Sequence, residues 1–289
     1  MSKSHPLHDE SLGEPAPTLS LLRTLCCEKP FDKLSIYLES CLGDNWHTNE
    51  LGEKLLNTLV QKSRNEHANK CQFISQSQFE NNALYYEEII YKKGKIPTRN
   101  NWHDFFNGLI WLQLPKTKRY FSEVHNQQIE QYGLKMRSPV RDRITHFDEC
   151  GLIIFTNEAK LAHEIKAHNW QAVFINRKHQ WHNNIVPIIV GHALWEMLLK
   201  PFIGLTAKVK VICLPDFSNQ DICNLQHSLW AGQAKSLLDE LCLNALKQDK
   251  DVYLPKPWMP LPLLGIPTWS TFTQDEAFYA NQDYFMPRR

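Results

Sequence analysis

R-D-R-I-T-H-F-D-E-C-G-L-I-I-F-T, residues 141–156, is the stretch on which the fold class turns. Ile144 to Asp148 and Leu152 to Thr156 are runs of strand-forming residues, and Glu149-Cys150-Gly151 between them has the composition of a turn. The reading is a β-hairpin over 144–156, with Ile144, His146 and Asp148 on one side and Thr145 and Phe147 on the other. Lys208 to Leu214 (K-V-K-V-I-C-L) is the clearest further strand, and Val186 to Val190 reads as a buried strand or the first turn of a helix running to Leu199.

Outside this region the text is helical. Phe31 to Leu42 places Leu34, Leu38 and Leu42 on one face, and Asn49 to Lys62 does the same with Leu51, Leu55 and Leu59. Cys71 to Gln76 suits a short strand, and Asn82 to Lys93 a helix stopped by Gly94. Asn100 or Asn101 caps a helix that starts at Trp102 and ends at Pro115. Helices follow over Thr117 to Tyr132, Asn157 to His168 and Ser236 to Lys247. The expected fold is α+β: one mainly helical domain over 19–289 with a small sheet that includes the hairpin and the 208–214 strand. A loose leader occupies 1–18, and the proline-rich text from Pro255 is extended, either wrapping the domain or reaching a partner.

Composition excludes little but is informative about partners. In 289 residues, Lys+Arg 32 against Asp+Glu 31 leaves a net charge of +1, so no global field draws in nucleic acid or an anionic membrane. No apolar run has the length of a membrane helix, and the first residues lack the core of a signal peptide. The eight cysteines include no C-x-x-C and read as reduced thiols, which places the chain in the cytoplasm.

Four patches carry chemistry-bearing residues. His103, Asp104 and Asn107 sit among Trp102, Phe105, Phe106 and Trp111; His103 and Asn107 share a helix face, with Asp104 about 100° round. A neighbouring His and Asp supply either a base with its orienting carboxylate or two metal ligands. Arg141, Asp142, Asp148 and Glu149 offer an anion clamp and a carboxylate ligand or base. Gly191-His192 with Glu196 puts a His and a Glu four apart on one helix face, a spacing that metal sites use. Lys116, Lys118 and Arg119, with Arg99 and Arg137 nearby, form a basic group suited to anion binding. Each patch also has a structural account: a helix cap, a turn, a hydrogen-bonded core histidine, a solvated helix start. No G-x-G-x-x-G, P-loop, G-x-S-x-G or H-E-x-x-H is present.

Six motifs stand in fixed order: P-T-R-N-N-W-H-D-F-F-N-G-L-I-W, P-K-T-K, R-D-R-I-T-H-F-D-E-C-G, G-H-A-L-W-E, P-F-I-G-L-T-A-K and L-P-L-L-G-I-P-T-W. Together they resemble the domain of unknown function 3025 family across Cys71 to Arg289. The resemblance implies a bacterial protein and no substrate, cofactor or fold. Gly108 and Trp195 stand where the resemblance implies Ala and a smaller aliphatic residue.

The residues themselves motivate two expectations. The first is a hydrolase-like enzyme acting on a small, anionic or phosphorylated substrate, with His103, Asp104, Asn107, Arg141, Asp148, His192 and Glu196 in one cleft and Lys116, Lys118 and Arg119 steering the anion. A divalent metal cofactor would be held by His103, Asp104, Asp148 and His192. The second is a non-catalytic protein that binds nucleic acid or a protein partner through the basic group and Trp102, Trp111, Trp258 and Trp269.

Overall fold

The computed structural model describes residues 29–43, 51–63, 67–79, 85–230, 235–248, 251–270 and 272–288, together with 18, 22 and 24. The leader expected over 1–18 lies outside the described residues apart from Thr18. The architecture is α+β. In chain order the helices are α1 (Asp32–Leu42), α2 (Glu53–Lys62), α3 (Tyr86–Lys93), α4 (Trp102–Gln113), α5 (Pro115–Tyr132) and α6 (Pro139–Cys150). There follow α7 (Ala159–Lys166), α8 (His192–Met197), α9 (Asn219–Trp230), α10 (Lys235–Gln248) and α11 (Glu276–Tyr279).

Strands β1 (Gln72–Ser75) and β2 (Lys95–Thr98) make a parallel pair. Strands β3 (Gly151–Thr156), β4 (Ile185–Ile189), β5 (Thr206–Cys213) and β6 (Met259–Pro262) form a sheet of order β4-β3-β5-β6. β3 runs parallel to β5 and antiparallel to β4, and β6 closes the edge antiparallel to β5. β3 and β4 are buried along their whole length, as expected of strands covered on both faces, whereas β5 alternates and turns Lys208 and Lys210 outward. The C-terminal proline-rich text therefore wraps the sheet: Leu261, Leu263, Leu264 and Ile266 are fully buried, and the Trp258 ring lies 4.2 Å from that of Phe147.

The hairpin expected over 144–156 is a correction. Residues 139–150 are one helix that runs directly into β3. Three local signals favour the helix: Pro139 at its start, the Ser138 hydroxyl accepting the Arg141 N–H, and burial of Arg141, Ile144 and Phe147 at spacing three while His146 faces solvent. Spacing three outweighs strand propensity here because the helix packs on β3 and β5, which bury Ile144 and Phe147 completely. Glu149-Cys150-Gly151 is then a helix end rather than a hairpin turn, and the antiparallel partner of β3 is β4.

Helix α4 is buried at every position except His103. It packs against α2, α5 and α8, which leaves the histidine in its first turn as its most exposed side chain. Gly108 gives α2 its approach: a Cβ there would lie 2.4 Å from the Leu56 Cδ1. Trp195 is held between the rings of Phe31 and Phe106, at 5.4 and 6.0 Å. Leu114 precedes α5 without a capping side chain. The buried Asp239 of α10 substitutes for one, accepting from Lys116 N (2.7 Å), Thr117 N (3.0 Å) and the Thr117 hydroxyl (2.8 Å). Hydrogen bonds to a charged acceptor of this kind stabilise by roughly 1–3 kcal/mol.

Candidate active site

The site grows from two helix starts. At the first, the Asn101 side chain accepts the Asp104 N–H at 2.8 Å and sets the first turn of α4, from which His103 projects. At the second, β4 ends at Ile189, and two residues later Gly191 leads into α8, which begins with His192. His192 and Glu196, one turn apart on α8, both reach His103: His103 Nδ1 is 2.8 Å from Glu196 Oε2, and His103 Nε2 is 3.0 Å from His192 Nε2. The two imidazoles meet edge to face, with centroids 4.4 Å apart at 81°.

Protonation follows from this geometry. With Glu196 ionised, His103 Nδ1 carries a proton and donates it, so the two Nε2 atoms hold a single proton between them. Burial acts to lower the His103 pKa, but the hydrogen bond and charge of Glu196, reinforced by Asp104 and Glu149, outweigh it and the net shift is upward. His192 is driven the other way, well below its ordinary value, by burial first and then by Lys118 and His103, against weaker support from the Asp148 main chain. Adjacent rings whose affinities for a proton are pushed apart are suited to passing one. Glu196→Gln is expected to move the His103 titration below 6.5, since burial then acts with little opposition. Histidine side-chain NMR across pH 4–9 measures this, and an unchanged His103 titration would refute the assigned hydrogen-bond chain.

Both histidines line a cavity of about 510 Å³ walled by α3, α4, α5 and α6. On its floor the Lys118 ammonium, 3% exposed, donates to Asp148 Oδ1 at 2.5 Å and lies 5.6 Å from the centre of the Trp111 ring. Asn107 donates weakly to the Tyr86 hydroxyl at 3.4 Å, leaving its buried Oδ1 without a partner among the described residues. Asp104 also lines the cavity but is committed: it accepts Arg99 N (2.6 Å), Nε (3.0 Å) and an Arg99 terminal NH₂ group (3.1 Å).

Sequence reasoning missed Glu87, Tyr86 and His125. Burial, followed by the charge of Asp148, pushes the Glu87 carboxyl up to about 7 against the pull of Lys118 and Arg141. Burial likewise lowers His125 to about 4, with Arg141, Arg137 and Lys118 adding to it and Asp148 opposing. A helical signal for His125 was present: Lys118, Phe121, Ser122 and His125 fall at i, i+3, i+4 and i+7 and all line the cavity. Glu87 was masked by the pair Glu87-Glu88, which reads as an ordinary acidic helix start. Only Glu88 behaves so, bonding Lys92 one turn on, while Glu87 lies three residues before the buried Ile90 and faces the cavity with it.

The Glu87 shift has a stability consequence. Its folded pKa, about 7, lies above the ordinary glutamate value of 4.5, so the folded state retains a proton that the unfolded chain has released. The contribution of Glu87 is therefore present below pH 4.5 and is lost as pH rises through 7. Glu87→Gln is expected to stabilise the protein at pH 8 by about 1–2 kcal/mol, after allowance for partial exposure, and to have little effect at pH 4. Urea denaturation at the two pH values is the measurement, and an equal effect at both would refute it.

The remaining expected site residues do not all converge. His103, Asp104, Asn107, Lys118, Asp148 and His192 line one cavity, with Glu196 behind His103. Arg141 does not line it: its guanidinium lies 5.7 Å from the ring of the lining residue Tyr85, and one nitrogen donates to Leu134 O at 3.4 Å. The basic group is dispersed, because successive residues of a helix point in different directions. Lys116 pairs with Glu240, Lys118 with Asp148, and Arg119 donates to His67 O. Asp142 pairs with Arg137 outside the cavity. Among the described residues no three His, Cys, Asp or Glu side chains are grouped to hold a metal ion: Asp104 and Asp148 are engaged by Arg99 and Lys118 and do not join the two histidines. Trp102, Trp111, Trp258 and Trp269 are all buried, at 9% exposure or less, so none stands out from the exterior as a stacking surface.

Fold and site together define an α+β protein with a polar cavity built around a histidine pair. The chain belongs to the family described as Protein of unknown function (DUF3025), which it matches over residues 71–289. That match includes every residue of the cavity. No curated protein and no solved structure matches the chain. No helix among the described residues is long and apolar enough to cross a membrane.

Proposed function

We propose that this protein is an enzyme that hydrolyses a small polar substrate by general acid–base chemistry in the 510 Å³ cavity. The observation that supports this reading is the chain Glu196–His103–His192, which leads from a half-exposed carboxylate to a buried imidazole in the cavity wall. Glu196 orients His103 and stabilises its charged form. His192 Nδ1 is buried and both Nε2 atoms are bonded to each other, so opening of the Nε2–Nε2 hydrogen bond frees the nitrogen that takes a proton from water and returns it to the leaving group. Glu87, protonated up to about pH 7 and lining the same cavity from α3, supplies a second acid. Lys118, held by Asp148, contributes fixed positive charge where negative charge develops. Asn107, with an unpartnered Oδ1, provides an amide to position the substrate.

The two cations of this cavity are each neutralised by a carboxylate, Arg99 by Asp104 and Lys118 by Asp148. The reacting group is therefore uncharged, an ester, amide or glycosidic linkage rather than a phosphate. Turnover of p-nitrophenyl acetate, p-nitrophenyl glycosides and amino-acid p-nitroanilides, measured from pH 5 to 9, tests the proposal. Hydrolysis of one class that depends on His192 supports it, and no turnover of any class defeats it.

A further inference from the structure

A second cavity of about 360 Å³ lies on the other side of α5, lined by Lys70, Cys71, Tyr91, Gly94, Arg119 and Glu123 among others. Ile90, Trp111 and Ser122 line both cavities, so these three side chains are the partition between them. The geometry of α5 accounts for the arrangement: Lys118 and His125 face the larger cavity, Arg119 and Glu123 the smaller, and Ser122 lies between.

The two cavities differ in the state of their cations. In the larger, Arg99 and Lys118 are ion-paired. In the smaller, neither Lys70 nor Arg119 has an ion-pair partner among the described residues; Arg119 gives one nitrogen to His67 O at 3.1 Å and keeps donors in reserve. Glu123 is the one carboxylate of that lining, so the smaller cavity carries one positive charge in excess. Cys71 and Arg119 line this cavity together; burial raises the Cys71 thiol, and the guanidinium opposes that rise without reversing it.

We propose that the two cavities form a single elongated site for an organic oxyanion. Its phosphate or carboxylate end is held by Arg119 and Lys70, and its uncharged reacting end passes between Ile90, Trp111 and Ser122 to the histidine pair. This rests on the hydrolytic reading above and assigns the substrate class. Arg119 keeps the anion-binding role expected from the sequence, in a different cavity from Lys118. A guanidinium with free donors at a partly enclosed wall forms charge-assisted bonds to an oxyanion that bulk water competes with poorly.

The test is an NMR titration of the full-length isotope-labelled chain with inorganic phosphate and with phenyl phosphate, against sodium chloride at matched ionic strength. Both phosphates are expected to give saturable shifts at Cys71, Gly94 and Arg119, and phenyl phosphate alone to shift the His103 and His192 imidazoles as well. Arg119→Gln is expected to weaken both by roughly tenfold or more, the loss of one charge-assisted contact. Lys70→Gln, at an exposed position where folding is not at stake, is expected to weaken them less. Acetate in place of phosphate distinguishes the two anion types: binding of both assigns a general oxyanion site, and binding of phosphate alone narrows it to phosphates. Shifts that do not saturate, that centre on Lys118, or that survive Arg119→Gln and Lys70→Gln would overturn the proposal, as would phenyl phosphate leaving both imidazoles unmoved. The hydrolytic reading fails separately, as absent turnover in a protein that still binds phosphate at Arg119.

Discussion

His192→Gln is expected to lower kcat on an accepted probe substrate about 10²- to 10⁴-fold at pH 7, the range that positioned acid–base groups contribute. Glutamine fills much of the same space and can still reach His103, but it has no group that gains or loses a proton near neutrality. His103→Gln should lose a comparable amount, and the double variant little more than either, because two rings whose Nε2 atoms lie 3.0 Å apart share one proton and act as a unit. Circular dichroism and urea denaturation separate this from loss of fold. A folded His192→Gln protein with undiminished kcat would remove the histidine pair from the mechanism and leave Glu87, Asp148 and Lys118 to be tested alone.

Gly191→Ala is expected to destabilise the fold by about 3 kcal/mol, the upper part of the range for overpacking. Its φ of −76° suits any residue, so the obstacle is space alone. A Cβ would lie 2.4 Å from Glu149 O and 2.5 Å from Gly151 N, and neither can swing aside because both belong to the backbone joining α6 to β3. Gly151 O also accepts the N–H groups of Val190 and Gly191, so relief of the clash pulls on the start of α8 and on His192 with it. Gly108→Ala is the control. Its nominal contacts, 2.4 and 2.7 Å to the Leu56 Cδ atoms, are as short, but they are made by a side chain rather than by backbone, and the loss should be smaller, about 1 kcal/mol. Urea denaturation of the two variants tests the distinction, and equal losses would refute it.

Much of the helical framework was legible from local text. Gly94, expected to stop a helix, does so at φ 62°, and of the two candidate caps before Trp102, Asn100 and Asn101, it is Asn101 that caps α4. The 208–214 strand is found at Thr206–Cys213, since alternation along one partly exposed face is a local property. Residues 144–156 were misread because β-branched residues satisfied strand propensity, whereas the Ser138-Pro139 start and the Ile144–Phe147 spacing, both helical, were decided by what lay beneath them.

Of the site, the sequence alone determined the chemical inventory: His103 beside Asp104 at a helix start, and His192 one turn from Glu196, each set by the period of a single helix. Only the tertiary structure decided that the two pairs meet, 89 residues apart, across the contact of α4 with α8. It also decided that Lys118 and Arg119 enter separate cavities, and that Glu87 holds its proton to about pH 7. The division has one physical cause. Helical periodicity is a short-range property written in neighbouring residues, whereas burial, ion pairing and the field at a carboxylate depend on segments that only packing brings together.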